Sequence, residues 1–353
     1  MKLAKIVFLS VLLTSSSILG LVSSTRAQVE PVLEIAVSVA PLGGIVDEVG
    51  QGYVSIHVIL PEGVEPHAAQ LSQEAIEAAL AADLLVLTGH YPWEEMLANQ
   101  TQTPHITLED YEAAGAVLSP IPGNPHIGES EGDQHEHGNE NLHTYWLLPR
   151  NALAIANATL NEFDILSPDY SDFWHASFEQ FREDIEAFQD LVLEVDEEYH
   201  FSDLSAVVVF PAEAYIAETF GIEVRAVLQA GDNIFISGSE LLAVQTALAN
   251  GSIDVILGSD IARLQAGGEF AEQLAADTGS QVIWWRAIFF SGLSDFVSIM
   301  TYNLGVLTAS LGDKPPSEVG DTTNYLAIGV AGFLSVVVLV ETVLIVQRIR
   351  SEE

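Results

Sequence analysis

The sequence predicts an α/β protein of two lobes with parallel sheets. A long rigid helix joins them, a ligand cleft lies between them, and one C-terminal transmembrane helix follows. Three observations carry this expectation. Short apolar runs alternate with helical patterns in both halves of the chain, a rhythm that builds parallel βαβ units. A long amphipathic stretch separates the halves. The final apolar run, from Tyr325 to Gln347, holds a single charge, Glu341, and is long enough to cross a hydrocarbon core about 30 Å thick.

In the first half, Leu33–Ala40 and Val54–Leu60 read as strands around a helical stretch at Leu42–Val49. Ser72 stands at a capping position ahead of a helix reaching Ala82, and Asp83–Gly89 returns as a strand. The second half repeats the pattern. Strands are expected at Ala206–Phe210, Val224–Leu228, Asp254–Gly258 and Gln281–Trp285, with helices at Ala212–Thr219, Ser239–Ala249, Glu269–Asp277 and near Asp295–Ser310. Between the halves, Phe173, Phe178, Phe181, Ile185, Phe188, Leu191 and Val195 recur at spacings of three, four or five along Pro168–Tyr199, which predicts a helix of about 45 Å.

These elements divide the chain. Residues 1–28 carry a basic start (Lys2, Lys5), an apolar run and small residues before Ala27, the pattern of a secretory signal. Residues 29–165 are expected to form the N-terminal lobe, 166–200 the linking helix and 201–311 the C-terminal lobe. A Pro/Gly/Asp-rich linker follows at 312–324, then the span at 325–347 and a tail at 348–353. Arg348 and Arg350 put that tail in the cytoplasm by the positive-inside rule, leaving a single-pass cell-membrane protein with its main domain extracellular.

Charge excludes one class of partner. Lys and Arg number 11 against 50 Asp and Glu, a formal charge of −39, and nucleic acid requires clustered cations instead. Within residues 29–323 the balance is 6 against 47, or −41, a surface that draws cations and also suits high ionic strength. No cysteine is present, which removes disulfides, thiolate metal sites and a lipid-modified N-terminal cysteine.

Ten histidines are unevenly placed. His126, His135, His137 and His143 fall in the loop 125–143, PHIGESEGDQHEHGNENLH, where imidazoles interspersed with carboxylates suit a borderline divalent ion such as zinc. Selectivity needs donors on fixed elements. His67 follows a strand and a proline, His90 follows another strand, and His143 opens a helical segment, so these three are the anchored candidates. His126, His135 and His137 are auxiliary.

At this point the residues resemble a known family, the solute-binding proteins of ABC importers for zinc and manganese. The stretch from Ser38 to Gly89 is similar to that family's first lobe, including a G-x-x-P-H segment whose histidine, here His67, would be a metal ligand. LHTYWLLPRNALAIA resembles an H-x-W-x-x-P-x-N-A element and points to His143, with Tyr145 as an extra residue before Trp146. SGSELLAVQTALANGSIDVI, AEQLAADTGSQV and SDFVSIMTYNLGVLTASL resemble the later lobe, so the likeness covers about residues 33–311. It implies an extracellular receptor that delivers Zn2+ or Mn2+ to an ABC permease.

The chain departs from the family at two ligand positions. Phe210 stands where the third ligand is expected, and Arg286 near the fourth. Glu213 at the next helix start and His90 are the replacements expected to join His67 and His143 in the metal set, with Asp260 after DVILG a further carboxylate nearby. A second reading is an ectodomain that has kept the fold, lost metal transport and serves a structural or adhesion role. An enzyme is not expected: no H-E-x-x-H spacing occurs, and no Ser/His/Asp arrangement can be argued from one sequence.

Overall fold

The computed structural model describes residues 30–123, 140–231, 234–288, 293 and 295–312. The leader, most of the His-rich loop with His126, His135 and His137, the linker, the span expected at 325–347 and the tail all lie outside the described residues. Among the described residues no helix is long and apolar enough to cross a membrane.

The first half is a sheet of four parallel strands: β1 (Leu33–Val37), β2 (Val54–Val58), β3 (Leu84–Val86) and β4 (His105–Ile106), in the order β2-β1-β3-β4. Helices α1 (Ala40–Gly50), α2 (Gln73–Ala81), α3 (Pro92–Thr101) and α4 (Leu108–Ala113) make the connections. Ser72 caps α2, its side chain accepting from the Ala75 N–H. All three residues of β3 are buried, as expected of a parallel strand covered on both faces, which is why it reads as an unbroken apolar run.

The second half repeats this topology. Strands β5 (Ser205–Val208), β6 (Glu223–Val227), β9 (Val255–Ser259) and β10 (Val282–Trp285) pair in the order β6-β5-β9-β10, again all parallel. Helices α7 (Glu213–Thr219), α8 (Gly238–Asn250) and α9 (Ala266–Thr278) connect them, and α10 (Phe296–Gly312) closes the half. A small antiparallel hairpin, β7 (Gln229–Gly231) with β8 (Ile234–Phe235), interrupts the alternation. In each sheet the first strand is central, so the C-terminal ends of the strands gather along one edge, where α/β sheets bind ligands.

Helices α5 (Pro149–Leu166) and α6 (Ser171–Tyr199) lie between the sheets in sequence. The 29 residues of α6 span about 43 Å. Its buried stripe runs Trp174, Ser177, Phe181, Ile185, Phe188, Val192, a spacing of three and four throughout. Leu191, expected on that stripe, is exposed instead; Val192, four residues beyond Phe188, takes the inward position. Phe181 meets Phe296 of α10 edge-on at 6.3 Å, which ties the strut to the second half.

Candidate metal centre

Two of the three histidines, His67 and His90, lie in loops that follow strands of the first sheet. Four residues past β3, His90 is placed by a turn that Gly89 makes possible: the glycine's φ is +72°, and a Cβ there would meet Leu108 at 3.0 Å. The turn is held from below by Glu94, only 2% exposed, on the first turn of α3. Glu94 Oε1 accepts from Thr88 N (2.8 Å), and Oε2 from His90 N (3.0 Å) and Tyr91 N (3.1 Å). The Thr88 hydroxyl donates to the same carboxylate at 2.9 Å. Burial raises the pKa of Glu94, opposed by the hydrogen bonds it accepts from Ser38, Thr88 and Tyr91.

His67 follows Pro66, whose carbonyl accepts from Trp93 Nε1 at 2.9 Å, so the strand-end loop after β2 is pinned to α3. Tyr91 stacks on Trp93 and packs against both His67 and His90, walling the imidazoles on one side. His143 comes from a different element. Its N–H donates to Asn141 Oδ1 (3.1 Å), Asn141 Nδ2 donates to Pro211 O (2.8 Å), and Tyr145 OH donates to Thr88 O (2.8 Å). The next residue, Thr144, is left-handed at φ 56°, an outlier for a β-branched side chain. Its hydroxyl donates to Ala212 O, which offsets part of that strain. Asn151 completes the support by bonding Val117 N, Val117 O and Tyr145 O.

These ties bring three imidazoles together. One ring nitrogen each of His67, His90 and His143 lies within 4.8 Å of the others, and His90 Nε2 is 3.2 Å from His143 Nδ1. Donors of one tetrahedral zinc, each at about 2.1 Å, stand about 3.4 Å apart, so two already have that spacing and the third needs a shift of about 1 Å. Desolvation keeps two of the rings, His90 and His143, neutral. The pKa of His90 falls from 6.5 to about 3 through desolvation, with repulsion from His67 adding. His143 is lowered for the same reason, with His90 and His67 adding. A neutral imidazole is the form that ligates a metal.

A small, partly open cleft lies beside the trio. The first half lines it with Glu65, Pro66, His67, Tyr91, His143 and Thr144, and the second half answers with Phe210, Ala212, Ile261 and Ile288. Phe210 meets the His143 ring edge-on at 4.8 Å. The second half therefore offers an apolar wall where a fourth donor was expected.

Glu213 stays outside the converging group. Its side chain is fully buried at the start of α7, where Oε2 accepts from Phe210 N (2.6 Å) and Oε1 from the Ser259 hydroxyl. Desolvation raises its pKa to about 8 against these bonds, with Asp260 repulsion adding to the rise. It joins the ends of β5 and β9 and shapes the wall behind Phe210, a helix-start role that an acid at this position resembles in sequence. Asp260 Oδ1 accepts from Ile261, Ala287 and Ile288 N–H groups, clamping the loop after β10. Sequence reasoning passed over Glu94 and Glu65. Glu94 carried a readable signal, an acid on the first turn of a helix opened by Pro92; Glu65 stood two residues before His67.

Comparison with known proteins identifies the family and the fold. The profile of a family described as zinc-uptake complex component A, periplasmic, matches residues 35–310. The high-affinity zinc uptake system protein ZnuA of Yersinia pestis is 25% identical over 163 residues, 42% of this chain and 51% of that protein. The chain thus spans about half the length of the curated relative it matches. Among solved structures, a 138–173 deletion mutant of ZnuA with zinc bound superposes with a TM-score of 0.64 at 18% identity, covering 80% of this chain and 99% of that one. The SBP FpvC of Pseudomonas aeruginosa in complex with Mn2+ gives 0.61 at 18%, covering 79% and 98%. These structural likenesses establish the shared fold.

Proposed function

Because the chain belongs to the family of the periplasmic component A of zinc-uptake complexes, we propose that it captures a divalent cation outside the cell and delivers it to an ABC permease. The observation that carries this reading is the convergence of His67, His90 and His143. Three imidazole donors favour zinc, a borderline ion with a preference for nitrogen, over manganese, which suits carboxylate and water. Zinc and manganese are bound by the ZnuA mutant and by FpvC respectively, which supports the ion class.

The ion is cargo, so the site binds and releases it without chemistry on it. His90 and His143 enter as bases already free of protons, so capture does not depend on deprotonating them near neutral pH. The apolar segment at 325–347 tethers the receptor to the membrane in this reading, and the linker at 312–324 gives it reach. Titration calorimetry on the metal-free protein tests the proposal. Zinc binds at one ion per chain, and replacing His67 and His143 together by Ala abolishes that binding. An unchanged isotherm in the double variant would refute the site.

A further inference from the structure

We infer that Glu65 supplies the fourth donor to the ion, so that the first half of the chain holds it alone beneath an apolar roof from the second half. This rests on the proposed capture of a divalent cation at His67, His90 and His143.

Imidazole ligands bring no charge to compensate a divalent ion, and in a partly desolvated cleft that compensation is worth more than in water. Glu65 is the one acidic residue among the described residues lining the cleft. Its two oxygens differ. Oε2 accepts from Ala68 N at 2.7 Å, a local turn bond. Oε1 is buried and has no hydrogen-bond partner among the described residues. A buried carboxylate oxygen left in that state costs free energy unless something cationic satisfies it.

The backbone around it is fixed. Pro66 follows directly, its carbonyl held by Trp93, and His67 comes next, so the carboxylate and the first imidazole belong to one pinned turn. Glu65 lies outside the group of converging nitrogens, so joining them requires movement of its side chain. Among the described residues of the second half, Glu213 bonds Phe210 N and Ser259, Asp260 bonds the loop after β10, and Phe210, Ile261 and Ile288 line the cleft. Three imidazoles and one carboxylate complete a tetrahedral set that suits zinc, and lower the net charge of the filled site by one.

The test uses the full chain with Glu65→Gln, which keeps the side-chain length and an acceptor for Ala68 N, and with Glu65→Asp, which keeps the charge. Zinc affinity of Glu65→Gln falls by at least the roughly tenfold that loss of even an outer partner costs, and Glu65→Asp recovers part of it. The visible bands of the Co2+-loaded protein shift in Glu65→Gln relative to the parent, a signature that a turn-capping role leaves unmoved. If Glu65→Gln matches the parent in both affinity and Co2+ spectrum while the His67/His143 double variant does not bind, Glu65 only caps Ala68 and the inference is overturned, with the capture reading intact. A parent that binds no zinc would overturn both.

Discussion

Replacing His90 by Gln isolates the acid sensitivity that the site builds into the metal-free protein. The folded-state pKa of His90 lies near 3 against an ordinary 6.5, so on acidification the unfolded chain takes up this proton first. Stability is retained above pH 6.5 and lost as the pH falls toward 3. Each unit of difference is worth 1.36 kcal/mol, so between pH 7.5 and 4.5 the group alone removes up to about 2.7 kcal/mol. Urea unfolding at the two pH values, with zinc chelated, gives the loss for the parent and for His90→Gln. The difference between the two losses is the quantity predicted, because His143 and the carboxylates remain in both proteins. Parallel losses would refute the account of a desolvated, neutral His90 packed against its neighbours.

Other expectations follow from the same contacts. Glu94→Ala strips the acceptor from the N–H groups of Thr88, His90 and Tyr91 and from the Thr88 hydroxyl; urea unfolding should show a loss of at least about 3 kcal/mol, and zinc calorimetry a weaker site. Glu213→Gln should leave zinc affinity within about twofold, since that carboxyl lies outside the donor group. The same variant should flatten the stability profile: the raised pKa of Glu213 gives the parent stability that is complete below pH 4.5 and lost as the pH rises through about 8, by up to roughly 5 kcal/mol in a denaturant series. Phe210→Ala opens the roof at a cost of about 3 kcal/mol or more in the melt, with faster zinc release in stopped-flow chelation and an unchanged Co2+ spectrum.

Much of the fold was legible because parallel strands buried on both faces spell continuous apolar runs, as in Leu84–Val86 and Val255–Ser259. The hairpin β7–β8 was not, since strands of two and three residues carry no measurable period. Nor was α3 (Pro92–Thr101), where Trp93 and Leu97 are the large apolar residues that turn inward. On α6 the apolar pattern offered Leu191 and Val192 side by side, and only packing chose between them.

The three imidazoles were visible as histidines at strand ends or at the start of a helical segment, positions that the strand-end edge of an α/β fold brings together. Carboxylates were harder. A ligand, a cap and a turn bond use the same atoms, and sequence cannot tell Glu213, which bonds Phe210 and Ser259, from Glu65, whose Oε1 remains unpaired among the described residues. Phe210 at a position where the resemblance implied a donor was readable, while the approach of His90 to His143 became concrete only when the segment after β3 and the His143 segment were placed beside each other.

X-ray absorption at the zinc edge of the loaded chain, with the stoichiometry fixed by elemental analysis, tests the central claim most directly. The account predicts one ion per chain with three imidazole nitrogens at about 2.0–2.1 Å and one oxygen. A first shell with two or fewer imidazoles, or an oxygen-rich six-coordinate shell, would contradict it.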